Sequence, residues 1–94
     1  MIYELLMTGE QAATTARDLA RITGLPRRGI SSLVESERRA GRPICATCDS
    51  RNPGYYIPET REDMQQYCNR LAHREAEIAR TREACARTIE DLPA

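Results

Sequence analysis

The sequence predicts a mainly α-helical fold with a small β-hairpin and a long C-terminal helix, and three observations carry that reading. Apolar residues recur at helical spacing on both sides of Gly24. Two short runs, RPICATC at 42–48 and YYI at 55–57, bracket a segment rich in turn-forming residues. From Thr60 to about Asp91 the chain contains neither Gly nor Pro, so nothing local interrupts a helix.

The elements follow in order. In residues 2–7, IYELLM, helical spacing puts Ile2, Leu5 and Leu6 on one face of a short helix. Thr8, Gly9 and Glu10 break it, and residues 11–14 read as a connection. Thr15 with Asp18 three residues later is a capping-box-like pair that satisfies the free amides of a helix start. Ala16, Leu19, Ala20 and Ile22 supply the apolar stripe of that helix, and Gly24 stops it by taking the left-handed conformation at little steric cost. Pro26 suits the first turn of a second helix, whose buried face is Ile30, Leu33 and Val34 and whose end is Gly41. The runs at 42–48 and 55–57 then pair around the Asn-Pro-Gly turn.

Residues 1–58 form the first domain in this reading, and residues 59–94 are a long C-terminal helix. Thr60 and Asp63 again make a capping-box-like start. Met64, Tyr67, Cys68 and Leu71 give an apolar face near that start. Further on, Leu71, Ile78, Cys85 and Leu92 recur every seven residues with Ile89 beside them, while Arg74, Thr81 and Thr88 take the intervening positions. A seam one residue wide buries little unless paired, so Leu71, Ile78, Cys85, Ile89 and Leu92 are the expected contacts of a homodimer arm.

Composition narrows the rest. The chain is 94 residues long, with no Phe or Trp, so any core is small. No stretch approaches a membrane span and no signal-peptide pattern occurs, which reads as a cytoplasmic protein that does not engage a membrane. Net charge is zero, but residues 1–57 hold eight Arg against six acids, and residues 58–94 hold six Arg against eight. All 14 cations are Arg.

Little points to catalysis. Cys45 and Cys48 lie on a strand-like run without the turn a thiolate metal site needs, so they read as reduced thiols and no metal or other cofactor is expected. His73 sits in a charged stretch with no nucleophile beside it, and Ser31, Ser32 and Ser36 have no neighbouring base. With no glycine-rich phosphate loop and no paired carboxylates, the expectation is a non-enzyme.

Three helices followed by a hairpin is the order of a winged helix-turn-helix. The small Ala20 in the first helix, the turn glycine Gly24, and apolar Leu19, Leu25, Ile30 and Leu33 match that motif. From Tyr3 to about Leu71 the chain resembles small winged-helix proteins of phages and prophages, through its LA…TGL…RRAG centre, its P-I-C strand and its GYYIPETRE stretch. Two positions depart from the pattern: Glu37 stands where a core leucine is expected, and Gly29 lies inside the second helix.

The resemblance implies a double-stranded DNA partner. On the second helix Arg28, Ser31 and Ser32 are then the base-edge candidates, with Arg27 near a phosphate. Arg38, Arg39 and Arg42 at the far end and Arg51 at the hairpin tip would hold backbone phosphates or enter the minor groove. This is the pattern of a small dimeric phage or prophage regulator or replication-associated factor. The alternative is a phage-encoded module that uses the same scaffold to inhibit a host enzyme or defence complex, as an anti-CRISPR protein does. It is motivated by the zero net charge, the acidic long helix and the two departures.

Overall fold

The computed structural model describes residues 1–49 and 51–93. It is mainly helical, with a small three-stranded antiparallel sheet and a long C-terminal helix. The chain divides into two compact units, Met1–Met64 and Gln65–Ala94. The division falls inside the long helix rather than ahead of it.

In the first unit, Thr15 caps helix α1 (Ala16–Thr23): its hydroxyl accepts the Asp18 N–H at 3.1 Å. The Asp18 carboxylate turns away to Arg21 at 2.9 Å, so the capping box is one-sided. Gly24 ends the helix in the left-handed region, φ +76°, as its sequence position predicts. Helix α2 (Arg27–Arg39) begins after a turn of Gly24, Leu25 and Pro26, with Pro26 one residue ahead of the helix rather than in its first turn. Ala40 caps its end, and the Gly41 N–H returns to the Arg38 carbonyl at 3.0 Å.

Strand β1 (Thr14–Thr15), β2 (Cys45–Ala46) and β3 (Gly54–Tyr56) form the sheet in the order β1-β3-β2. The hairpin of β2 and β3 is the expected one, in the register Cys45 with Tyr56 and Ala46 with Tyr55. Ser50 of its turn lies outside the described residues. The third strand was unexpected. Residues 11–14 read as a connection, yet Thr14 pairs with Tyr55 and Thr15 with Gly54, because a two-residue strand is too short to show an alternating pattern.

Ile2, Leu6, Ala16, Leu19, Ile30, Val34, Ile44 and Tyr55 make one core cluster. It draws on the N-terminal segment, both helices and the sheet. The N-terminal segment contributes without being the helix its pattern predicts: only a 3-10 turn forms, Tyr3–Leu5, and Leu5 faces solvent while Ile2 and Leu6 are buried. Beyond it the Gly9 N–H bonds to the Ile57 carbonyl and the Ile57 N–H to the Met7 carbonyl, both at 2.9 Å, so the chain runs alongside the end of the sheet. Those backbone partners outweigh helix formation by so short a segment. Ile22, expected in the apolar stripe of α1, is exposed, one position off the Ala16–Leu19 face.

Helix α3 (Arg61–Ala86) opens with the predicted box, here reciprocal. The Asp63 N–H donates to the Thr60 hydroxyl at 3.2 Å, and the Asp63 carboxylate accepts from Thr60 N–H at 3.3 Å and Glu59 N–H at 3.1 Å. The helix ends before the expected Asp91. Thr88 turns both its N–H, at 3.0 Å, and its hydroxyl, at 2.7 Å, onto the Cys85 carbonyl, which tightens the chain into a 3-10 turn at Ile89–Asp91. Among the described residues no helix is long and apolar enough to cross a membrane.

Two glycines test this packing in opposite directions. A Cβ on Gly54 would stand 2.9 Å from the Ala13 Cβ and 3.3 Å from the Thr47 methyl, so Gly54→Ala should lose about 1–3 kcal/mol of stability by urea denaturation. A Cβ on Gly29 meets Leu25 and Pro26 only at ordinary contact, 3.6 Å, so Gly29→Ala should gain about 0.5–1 kcal/mol.

Candidate nucleic-acid interface

Helical spacing decides which side of α2 is free. Ile30 and Val34 are buried and Leu33 half-buried, so the opposite side carries Arg28, Ser31, Ser32, Glu35 and Arg39, all exposed. Arg28, Ser31, Ser32 and Arg39 are four of the eight predicted nucleic-acid contacts, and the fold brings them onto one face. Glu35 sits in their midst and holds Arg38 at 3.3 Å and Arg39 at 3.6 Å. Ser31 and Ser32 stand one turn ahead of Glu35 on the same face, and Arg28 one turn further toward the start.

The hairpin loop is fixed beside that start. Asp49 Oδ1 accepts the N–H groups of Arg51, at 2.9 Å, and Asn52, at 3.3 Å, which shapes the loop from within. The Ala16 N–H bonds to the Pro53 carbonyl at 2.9 Å, and the Arg17 N–H to Asn52 Oδ1 at 3.4 Å. The Arg27 guanidinium donates to the Arg51 carbonyl. The loop thus joins the first turns of α1 and α2, through the Arg17 N–H on one and the Arg27 guanidinium on the other. Arg17 was not among the predicted contacts. Its partner Asn52 is 35 residues away, and no local pattern signals such a pairing.

Two other predicted contacts, like Arg27, have partners within the fold. Arg38 Nε donates to the Ile44 carbonyl at 2.9 Å, bracing the end of α2 against the approach to β2. Arg42 lies 4.8 Å over the Tyr3 ring and pairs with Glu4 at 3.5 Å. Both hold the scaffold, and neither belongs to the exposed face of α2.

Glu37 explains its own departure from the helix pattern. Its carboxylate accepts the N–H of Ile2 and of Tyr3, each at 2.8 Å, and lies 3.3 Å from the Met1 amino group. Burial pushes its pKa up, but the Tyr3 and Ile2 N–H groups and the Met1 ammonium outweigh this and hold it below the usual glutamate value. The position is polar because it caps another segment, where a leucine would leave those amides unsatisfied.

The residues of the predicted seam fall partly on α3 and partly beyond it. Leu71, Ile78 and Cys85 lie on the helix and are exposed. Ile89 and Leu92, also exposed, fall beyond its end, so they do not continue the heptad register. Cys68, expected on the apolar face with Tyr67, is exposed whereas Tyr67 is buried. Cys45 is buried and Cys48 exposed, and among the described residues no group of His, Cys, Asp and Glu is placed to hold a metal ion. Compared with protein-family models, with curated proteins and with solved structures, the chain has no match.

The Glu37 contacts make stability depend on pH in a defined direction. The folded state keeps this carboxylate ionised to lower pH than the unfolded chain does, so its contribution is complete above the ordinary value of 4.5 and is lost as pH falls through the lowered one. Glu37→Gln retains one acceptor of two and should cost about 1–3 kcal/mol at neutral pH. In urea titrations from pH 7 to pH 3 the gap to the unsubstituted protein should close toward the acid end. Glu35→Gln, on the exposed side, should leave stability unchanged.

Proposed function

We propose that residues 1–64 are a winged helix-turn-helix that binds double-stranded DNA, with α2 as the recognition helix and the β2–β3 hairpin as the wing. The three-residue turn between α1 and α2, the hairpin that follows them and the sheet order β1-β3-β2 support this reading. One observation carries it: the exposed start of α2, with Arg28, Ser31 and Ser32, stands beside the hairpin loop, whose Arg51 carbonyl accepts from the Arg27 guanidinium and whose Asn52 side chain accepts the Arg17 N–H. A recognition helix reads base edges with its N-terminal residues, and cations around it hold the phosphates on either side.

In this assignment Arg28 contacts a base, Ser31 and Ser32 a base or a phosphate, and Arg17, Arg27 and Arg51 the backbone. Arg39, paired with Glu35, lies at the far end of the same face. The role is that of a small regulator or replication-associated factor. A second reading, with the same face turned to a protein such as a host enzyme or defence complex, has Glu35 in its favour, since a carboxylate amid the face repels phosphate.

Fluorescence anisotropy with mixed-sequence duplex across a salt series tests the choice. Binding should weaken as salt rises, each phosphate contact adding about 0.9 to the slope of log K against log salt. Arg28→Ala should lose about 1–3 kcal/mol, while Arg80→Ala on α3 should change nothing measurable. A folded protein that binds no duplex at the lowest salt would overturn the DNA assignment and leave the face to a protein partner.

A further inference from the structure

Most of α3 is exposed. Of its 26 residues only Tyr67 is buried, while Leu71 is 40% and Ile78 62% exposed. With Leu71, Ile78 and Cys85 at the a positions of a heptad, the d positions hold Arg74 and Thr81, the g positions Arg70 and Glu77, and the e positions Glu75 and Arg82. Flanking charges choose the partner and its direction. When two copies run parallel and in register, each g residue faces the e residue five positions further along the other copy. Arg70 then meets Glu75 and Glu77 meets Arg82, on both sides of the pair. The antiparallel register that overlaps residues 67–85 fully is centred on Ala76, and it sets Glu75 against Glu75 and Glu77 against Glu77.

The surface of α3 agrees with this heptad phase. A concavity is lined by Arg74, Glu77, Ile78, Thr81 and Arg82. In a parallel coiled coil the side chain at a enters a hole bounded by d, g, a and d of the facing helix, and Arg74, Glu77, Ile78 and Thr81 are that set. If Ile78 were instead a d residue, the hole would be bounded by 75, 78, 79 and 82.

We propose that α3 pairs with α3 of a second copy of this chain as a parallel, in-register coiled coil over residues 70–85, seated on Leu71 and Ile78 and directed by the Arg70–Glu75 and Glu77–Arg82 charges. This pairing stands apart from the DNA reading and does not depend on it. Arg74 opposite Arg74 limits its strength: the aliphatic stem covers the seam while the guanidinium bends outward to water. The dimer therefore dissociates on dilution.

Cys85 reports the direction. In the parallel register the two Cys85 side chains share an a layer, whereas an antiparallel pair in the other heptad phase brings Cys68 of one copy to Cys85 of the other. Full-length protein carrying Cys48→Ser is oxidised mildly, digested without reduction and mapped by mass spectrometry. The expected product is a Cys85–Cys85 link whose yield falls several-fold with Ile78→Glu. A dominant Cys68–Cys85 link, or a yield that Ile78→Glu leaves unchanged, overturns the proposal.

Light scattering over a dilution series gives the second readout. Glu77→Arg should weaken the dimer about tenfold, since it sets like charges together at two symmetric places, and adding Arg82→Glu should restore it. Arg80→Ala, which removes only the Glu77–Arg80 pair within the helix at 3.0 Å, should leave the dimer intact. A monomer at every concentration, or a double reversal that fails to recover, rules the pairing out, and circular dichroism establishes that each variant remains helical.

Discussion

The carboxylate of Glu37 holds the N-terminal segment in place, and the core of the first unit depends on that segment. The turn at Tyr3–Leu5 has no side-chain cap of its own. Glu37, from more than thirty residues away, accepts the N–H of both Ile2 and Tyr3. Hydrogen bonds to an ionised acceptor are worth about 1.5–3 kcal/mol, and amides left buried without a partner cost a similar amount. The bond therefore decides whether Ile2 and Leu6 can lie against Leu19, Ile30 and Val34. A chain without Phe or Trp has few large side chains to spare. Arg42, over the Tyr3 ring and against Glu4, closes the same segment from outside.

What the sequence reveals depends on how far apart the interacting residues stand. The starts of α1 and α3, the Gly24 stop and the β2–β3 hairpin are decided within a few residues, and all were legible in the spacing of Thr15 and Asp18, Thr60 and Asp63, and the turn residues near Asn52. Strand β1, the 3-10 start and the end of α3 were not. Each depends on a backbone partner that periodicity does not encode: Tyr55 for Thr14, Ile57 for Met7 and Gly9, and the Cys85 carbonyl for Thr88. Glu37 looked like an error in the helix pattern for the same reason, since what it binds is remote in the chain.

The candidate site was legible to the same degree. The exposed face of α2 follows from helical spacing, so Arg28, Ser31, Ser32 and Arg39 could be placed together from the sequence. The ties of Arg17 and Arg27 to the hairpin loop could not, because they are made by that loop reaching both helix starts. Nor could spacing separate Arg38 and Arg42, which brace the scaffold, from the arginines that do not.

This separation changes what a net charge of zero means. Many of the acids in the first unit already serve internal contacts: Glu37 holds the N-terminal amides, Asp18 holds Arg21, Asp49 orders the hairpin loop, and Asp63 caps α3. Glu35 pairs with Arg39, which stands one turn further along α2. At the near end Arg17, Arg27, Arg28 and Arg51 lie around the first turns of two helices, whose dipoles add positive potential there. Asp18 and Asp49 keep their charge at that end, so the field there is set by where the arginines and carboxylates stand, which a sum over the whole chain does not convey.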